Sequence, residues 1–475
     1  MKLNKTTMIF GAAGLMVIAA LAYGVAKQGG VGPVTPPTLP PTQLPSAPNA
    51  KSTVPGTLTL SARLSQSHAL AGQALGSAQL LVDVDALDLK NGVAVPLDVA
   101  VVIDCSGSMR GDLLENARRA AKALFANLRP GDRATLITYN TNATINVPLI
   151  DASQHEGRFD AAMDELLAVG GTNISGGLQT AREVLGASDG VNTRVRRIIL
   201  LSDGHATNGY TEVSDLARLS NDIRKGGVSV TAMGLGSEFN ERAMTRIAAQ
   251  GGGNYHFIEE GTSLSQTFER EFKNLETSVA RGAALRISLA NGVTPVQVYG
   301  FAHRIEGQQI VVPLSEFFAG QNKSLMVELS VSGTSADRLD VADIQLDYFD
   351  LSRRDQATAR ANLWMATTSV ASVAEGSFDR EVLIRRQQIL TAQTYEAAME
   401  RYEAGDNDGA RELLQKRSNE LQVANRALKS QKLDEEVNVA TGALKDVGRY
   451  DRSTPKGKAA IKANRARKYK LEISR

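Results

Sequence analysis

The chain of 475 residues contains a single cysteine, Cys105, so no intramolecular disulfide can form and the fold must rest on its core. No lipoprotein-type cysteine stands at the end of the N-terminal apolar run, which excludes lipid anchoring through such a residue. Histidine is scarce: the five copies make no metal-ligand spacing, and His-Glu-x-x-His, Gly-x-Ser-x-Gly and the phosphate-binding Gly-x4-Gly-Lys-[Ser/Thr] are all missing. No hydroxyl or thiol has an identifiable base beside it, so an enzyme is not expected. Neither sign of charge dominates, with 53 Lys and Arg against 51 Asp and Glu, and a net charge of +2 gives no reason to expect a nucleic-acid partner. Aromatic residues make up 5% of the chain, with one tryptophan, Trp364, expected to serve a core.

What is present begins with an uncharged apolar stretch from Met8 to Ala26, preceded by Lys2 and Lys5. About 19 helical residues span roughly 28 Å, close to the hydrocarbon thickness of a bilayer. The positive flank comes first, so residues 1–27 are expected to anchor the chain with its N-terminus cytoplasmic and its bulk extracytoplasmic. Cleavage near Ala22, Gly24 or Ala26 is the alternative, and would leave a secreted protein. Residues 28–50 carry half of the fourteen prolines and no charge, the composition of a semi-rigid polyproline spacer.

Residues 51–96 alternate or run apolar over strand lengths and read as a small β unit. Residues 97–276 alternate buried-strand runs such as LDVAVVID and RRIILLSD with amphipathic helical stretches. That order predicts an α/β fold: a Rossmann-like, doubly wound, mostly parallel sheet covered by helices on both faces. Residues 281–350 return to β-like runs and are expected to form a β-sandwich, completed by strands before residue 96, with the α/β domain inserted between them. Residues 356–444 are expected to be helical, including a hairpin around Gly405-Asp406-Asn407-Asp408-Gly409. The basic tail, 445–475, reads as a solvated end.

One constellation carries chemistry. Asp104-Cys105-Ser106-Gly107-Ser108 follows the buried strand, where open α/β sheets bind ligands. Gly107 is expected to let backbone approach the site closely. Thr172, in Gly170-Gly171-Thr172-Asn173, and Asp203, after IILLS, lie at loops or strand ends of the same kind. Two carboxylates and three hydroxyls, with no nitrogen or sulfur donor, form a hard oxygen set suited to Mg2+, with Mn2+ as a substitute. Such an ion carries little compensating protein charge, so a carboxylate from outside is an attractive further ligand. Cys105 reads as an inert packing residue, and His205, Asn208 and Tyr210 as neighbours on the same face.

These pieces resemble the von Willebrand factor A domain with a metal-ion-dependent adhesion site, whose pattern is Asp-x-Ser-x-Ser, a distant Thr and a distant Asp. The matching positions are Asp104, Ser106, Ser108, Thr172 and Asp203, and the resemblance covers about residues 97–276. It implies that the two Ser and the Thr bind the ion directly or nearly so, and that the two Asp act through water. The flanking regions are more loosely similar to bacterial proteins related to inter-α-trypsin inhibitor heavy chains. The expected function is binding a protein partner, whose Asp or Glu completes the metal shell, outside a membrane. Two alternatives stay open: an accessory subunit of an ATPase or chelatase assembly, and a structural scaffold stabilised by the metal.

Overall fold

The computed structural model describes residues 50–51, 56–72, 75–88, 95–154, 157–187, 194–203, 205–236, 240–258, 261–332 and 338–473. The expected anchor and nearly all of the Pro-rich spacer lie outside them. No described helix is long and apolar enough to cross a membrane.

Strands β1 (Ala50–Lys51), β2 (Leu58–Leu64), β3 (His68–Leu70) and β4 (Gly76–Ala86) come first. β2 buries alternate residues, as a strand with one face on a core must. The α/β unit follows: β5 (Leu97–Asp104), α1 (Asp112–Ala126), β6 (Arg133–Tyr139), β7 (Ala143–Asp151), α2 (Arg158–Asp164), α3 (Ile174–Gly186), β8 (Val195–Ser202), α4 (Val213–Lys225), β9 (Ser229–Leu235), α5 (Glu241–Gly251), β10 (Gly252–Ile258) and α6 (Gly261–Glu276). Its sheet order is β10-β9-β8-β5-β6-β7. Every pairing is parallel except β6 with the edge strand β7. β5 sits centrally between β8 and β6, and all eight of its residues are buried. Covering a parallel strand on both faces requires such a continuous apolar run, each full-sized aliphatic side chain contributing roughly 1.5–3 kcal/mol.

Then come β11 (Ser278–Leu289), β12 (Val293–Tyr299), β13 (Arg304–Glu306), β14 (Gln309–Phe318), β15 (Asn322–Val331), β16 (Arg338–Asp350) and β17 (Asp355–Thr368). They join the first strands in two sheets, β1-β2-β4-β15-β12 and β13-β14-β11-β16-β17-β3. β4 and β15 pair antiparallel from Gly76 with Val331 to Asp85 with Asn322, bridging residues on either side of the α/β unit. One apolar core draws on both segments, with Leu60, Val82 and Val84 packed among Ile287, Val312, Val327 and Ile344. The α/β unit therefore enters as an insertion between β4 and β11.

Two expectations need correction. Residues 355–368 are a strand rather than the start of the helical region, because β17 pairs with β16 from Asp355 to Ala366 and with β3 from Ala366 to Thr368. Its Ala359, Ala361, Leu363 and Met365 are buried at a period of two, a strand signal set within helix-forming Ala and Arg. Trp364 consequently points to the other face, half-buried, with the Arg338 guanidinium 4.9 Å from its ring centre. The helical region begins later, with α7 (Ala371–Gly376), α8 (Arg380–Glu403), α9 (Asn407–Leu428), α10 (Gln431–Arg449) and α11 (Pro455–Ile473). The basic tail is also not a free end: α11 packs on α8, and Arg465 makes a bidentate pair with Glu403 at 2.8 and 2.7 Å. Its guanidinium also lies 3.6 Å from Glu241 and 3.7 Å from Glu396, contacts that tie the tail to the α/β unit and to α8.

The α/β unit and the sandwich meet through a buried polar network. Arg197 of β8 reaches Glu316 of β14 at 2.5 Å and Thr231 of β9 at 3.0 Å. Ser229 donates to the other Glu316 oxygen at 2.9 Å. Glu271 of α6 accepts from Thr231 at 2.6 Å and Asn254 at 2.8 Å, and lies 3.6 Å from Arg197. Burial pushes the Glu271 carboxyl up, but the His256 contact, the Arg197 charge and Thr231 outweigh it and leave the group at about 2.

Candidate metal site

The predicted residues converge at the C-terminal end of the parallel sheet. Asp104 closes β5 with no exposed surface. Its Oδ1 accepts from the Ser106 backbone N–H at 2.9 Å, folding the next residues into a tight turn. Ser106 precedes a 3-10 turn over Gly107–Met109 that carries Ser108. The Ser106 and Ser108 hydroxyls lie 3.1 Å apart, and Ser108 donates to Asp203 Oδ1 at 3.0 Å. Asp203 follows β8 directly and is buried, whereas Ser108 is exposed. Thr172 joins through its loop: the Gly107 N–H donates to the Gly170 carbonyl at 3.1 Å, and the Thr172 N–H to Thr207 Oγ1 at 2.8 Å.

Several supporting residues were not singled out in the sequence. Ser202 donates to Asp104 Oδ2 at 2.8 Å, and the Tyr139 hydroxyl approaches the same oxygen at 3.3 Å. Ser202 stands immediately before Asp203 at a strand end, a signal that was present; Tyr139, at the end of β6, looks like any core aromatic until β5 and β6 are paired. Asn173 caps α3, accepting from the Gly176 N–H at 2.9 Å and from Ser175 Oγ at the same distance. Gly209 packs against that pair with φ +67°; a Cβ there would lie 2.2 Å from Asn173 Oδ1 and 2.3 Å from Ser175 Oγ. Gly107 does not play the part expected of it, since a Cβ would meet only the Gly170 carbonyl at 3.6 Å, an ordinary contact. His205 and Tyr210 are exposed beside the site, and Asn208 is half-buried.

The electrostatics are those of two neighbouring carboxylates taken out of water. Burial raises Asp104, against hydrogen bonds from Ser106, Ser202 and Tyr139. Burial and the Asp104 charge push Asp203 up to about 6, against the Ser108 hydrogen bond. A cation among these oxygens would relieve both effects. Among the described residues no three His, Cys, Asp or Glu cluster as a metal set, so any ion here depends on hydroxyls as well as carboxylates. Such a donor set fits Mg2+. Cys105 is buried, and burial together with Asp104 pushes its thiol up to about 12, which suits a packing residue.

An open, mostly parallel α/β sheet with a hydroxyl-and-carboxylate loop at the carboxyl ends of its strands defines a class of ligand-binding domain. Residues 98–270 match the family described as von Willebrand factor type A domain, and this part of the chain is such a domain. An uncharacterized protein, YfbK of Escherichia coli strain K12, is 30% identical over 265 residues, which cover 54% of this chain and 46% of that protein. Human inter-alpha-trypsin inhibitor heavy chain H4 is 26% identical over 224 residues, 46% of this chain and 24% of that one. The chain thus spans about half the length of the first relative and a quarter of the second. A solved von Willebrand factor type A protein from Catenulispora acidiphila superposes with a TM-score of 0.68 at 18% identity, over 84% of this chain and 90% of that one, a likeness of fold.

Proposed function

We propose that this protein binds a protein partner through a divalent ion, Mg2+ or Mn2+, held by Asp104, Ser106, Ser108, Thr172 and Asp203. The observation that carries the reading is the continuous contact from Ser106 to Ser108 to Asp203 at 3.1 and 3.0 Å, beside the buried Asp104. Ser106, Ser108 and Thr172 supply neutral oxygens, and Asp104 and Asp203 the charge. The bound ion supplies Lewis acidity toward a carboxylate, so an Asp or Glu of the partner is the natural ligand to complete its shell. Exposure of Ser108, His205 and Tyr210 leaves the site's face accessible to a large molecule. We assign the protein a binding role rather than a catalytic one, and place its bulk outside the cytoplasmic membrane on the strength of residues 1–50.

The test is partner capture by the full chain in Mg2+, with chelator, and in Ser108→Ala. Capture that chelation and the substitution both abolish, at an unchanged thermal transition, supports adhesion. A strong fall in thermal stability on chelation, with capture retained, would instead make the ion a structural brace.

A further inference from the structure

Apolar side chains that the fold leaves in water gather beside the metal site. Among the described residues nine large apolar side chains are exposed. Three of them stand on the two loops next to Thr172: Leu167 at 73%, Val169 at 47% and Tyr210 at 45%. Leu167 is the most exposed of the nine. Apolar residues scattered singly over a surface are ordinary, whereas a group gathered at one site marks a surface of contact. Core packing does not account for them. Leu166 anchors its loop by packing with Phe159 and Met163, and Leu167 and Val169 turn the other way, into solvent.

Both loops are held in place. The Val169 N–H donates to the Cys105 carbonyl at 2.8 Å, inside the metal loop itself, and the Gly107 N–H to the Gly170 carbonyl at 3.1 Å. Arg110 Nε donates to the Ala168 carbonyl at 3.2 Å, Arg118 to the Leu166 carbonyl, and the Gly171 N–H to Thr141 Oγ1 at 3.1 Å. On the second loop the Thr207 and Asn208 N–H groups donate to the Thr172 carbonyl at 2.9 and 3.1 Å. The Tyr210 N–H donates to Ser175 Oγ at 2.9 Å. Thr172 thus joins a loop carrying Leu167 and Val169 to one carrying Tyr210. Loops fixed in this way lose little freedom on binding, so their apolar surface contributes to affinity without first being ordered. Arg110 is exposed and adds positive charge on the same side, complementary to an acidic partner.

Taking the metal-site reading as its basis, we propose that Leu167, Val169 and Tyr210 form an apolar rim that selects the partner. The partner is a protein segment whose metal-bound Asp or Glu is flanked by bulky apolar side chains. The ion attracts the carboxylate, and the rim takes the flanking side chains out of water. A carboxylate set among polar groups, as on an acidic sugar, gains only the first of these. A flanking Leu or Phe covered by the rim strengthens binding by about tenfold or more.

Two synthetic peptides, immobilised and probed with the full chain in Mg2+, test this. One has a central Asp between Leu and Phe; the other is the same peptide with Ser at both flanking positions. Wild type should bind the first at least about tenfold more tightly, and chelation or a central Asn should abolish binding of both. Leu167→Ser and Tyr210→Ser should each cut the preference to about threefold or less, with thermal unfolding unchanged because both side chains are exposed. Val296→Ser, at an exposed apolar residue of β12, should keep the full preference. Nuclear magnetic resonance reads the contact directly: the methyl signals of Leu167 and Val169 should shift with the first peptide and stay in place with the second. Equal affinity for the two peptides, or no binding of either to a chain that binds Mg2+, overturns the proposal. A preference that survives both rim substitutions, or that persists in chelator, does so too. A dimer in sedimentation that Leu167→Ser dissociates would make a second copy the occupant and also overturn it. Mg2+ titration separates the two readings. No bound ion ends the metal-site reading and the rim with it; a bound ion without peptide preference ends the rim alone.

Discussion

Replacing Arg197 by Met should be among the most damaging single changes in the chain. The guanidinium is 1% exposed and lies against two buried carboxylates, Glu316 and Glu271. A methionine of similar reach would leave both without their cation. Removing one partner of a buried ion pair typically costs about 3–5 kcal/mol. Glu271 points the same way. Its folded value of about 2 lies below the ordinary 4.5, because the His256 contact, the Arg197 charge and the Thr231 hydrogen bond together outweigh burial. The sign follows from the depressed value: this stabilisation is fully present above about pH 4.5 and is lost as pH falls toward about 2. Denaturant unfolding at pH 7 should therefore show Arg197→Met destabilised by about 3–5 kcal/mol. The deficit should narrow as pH falls toward 4, where unpaired carboxylates can protonate. Arg197→Met with Glu316→Gln should recover part of the loss, because one uncompensated charge is gone. A loss below about 1 kcal/mol at pH 7, the range of surface pairs, would refute the claim that this network joins the domains.

Gly209→Ala should destabilise by about 1–3 kcal/mol in thermal or denaturant unfolding, since it combines a left-handed φ with a Cβ driven into Asn173 and Ser175. Wild-type stability in that variant would show that the loop beside the metal site yields freely. Glu241 is held at about 8, because burial outweighs the opposing Arg465 and Lys462 charges. A folded value raised above the unfolded one favours folding at low pH, and that contribution falls as pH rises from about 4.5 to about 8. Glu241→Gln should therefore gain stability relative to wild type across that window; a pH-independent difference would count against a protonated Glu241.

Much of the α/β unit was legible because its strands are buried on both faces. LDVAVVID and VRRIILLS are continuous apolar runs or nearly so, and helical periodicity separates them. The second is instructive: its two arginines are buried, and for Arg197 it is the sandwich that explains why. Arg197 is answered by Glu316, more than a hundred residues away, a pairing no local pattern announces. β17 was misread for the opposite reason. Ala and Arg favour helix locally, while pairing with β16 and the Leu363 and Met365 contacts to the sandwich core settle the strand. The site's five named residues could be read because each follows a buried strand or sits in a Gly-rich loop. Tyr139 and Gly209 could not, since their roles exist only once β5 lies beside β6 and the Asn208 loop folds over α3. The tail's basic residues look like a solvated run, and only the carboxylates of α5 and α8 reveal what Arg465 docks against.

The central claim is that Asp104, Ser106, Ser108, Thr172 and Asp203 hold a divalent ion. Calorimetric titration of Mg2+ and Mn2+ into the full chain, beside Ser108→Ala and Asp203→Asn, tests it most directly. Ser108 is exposed, so its substitution should leave the fold intact, and thermal unfolding checks this. One saturable site in wild type, lost or weakened at least about tenfold in both variants, is the predicted result. Binding of equal strength in all three proteins, or no saturable binding of either ion to wild type, would contradict the account.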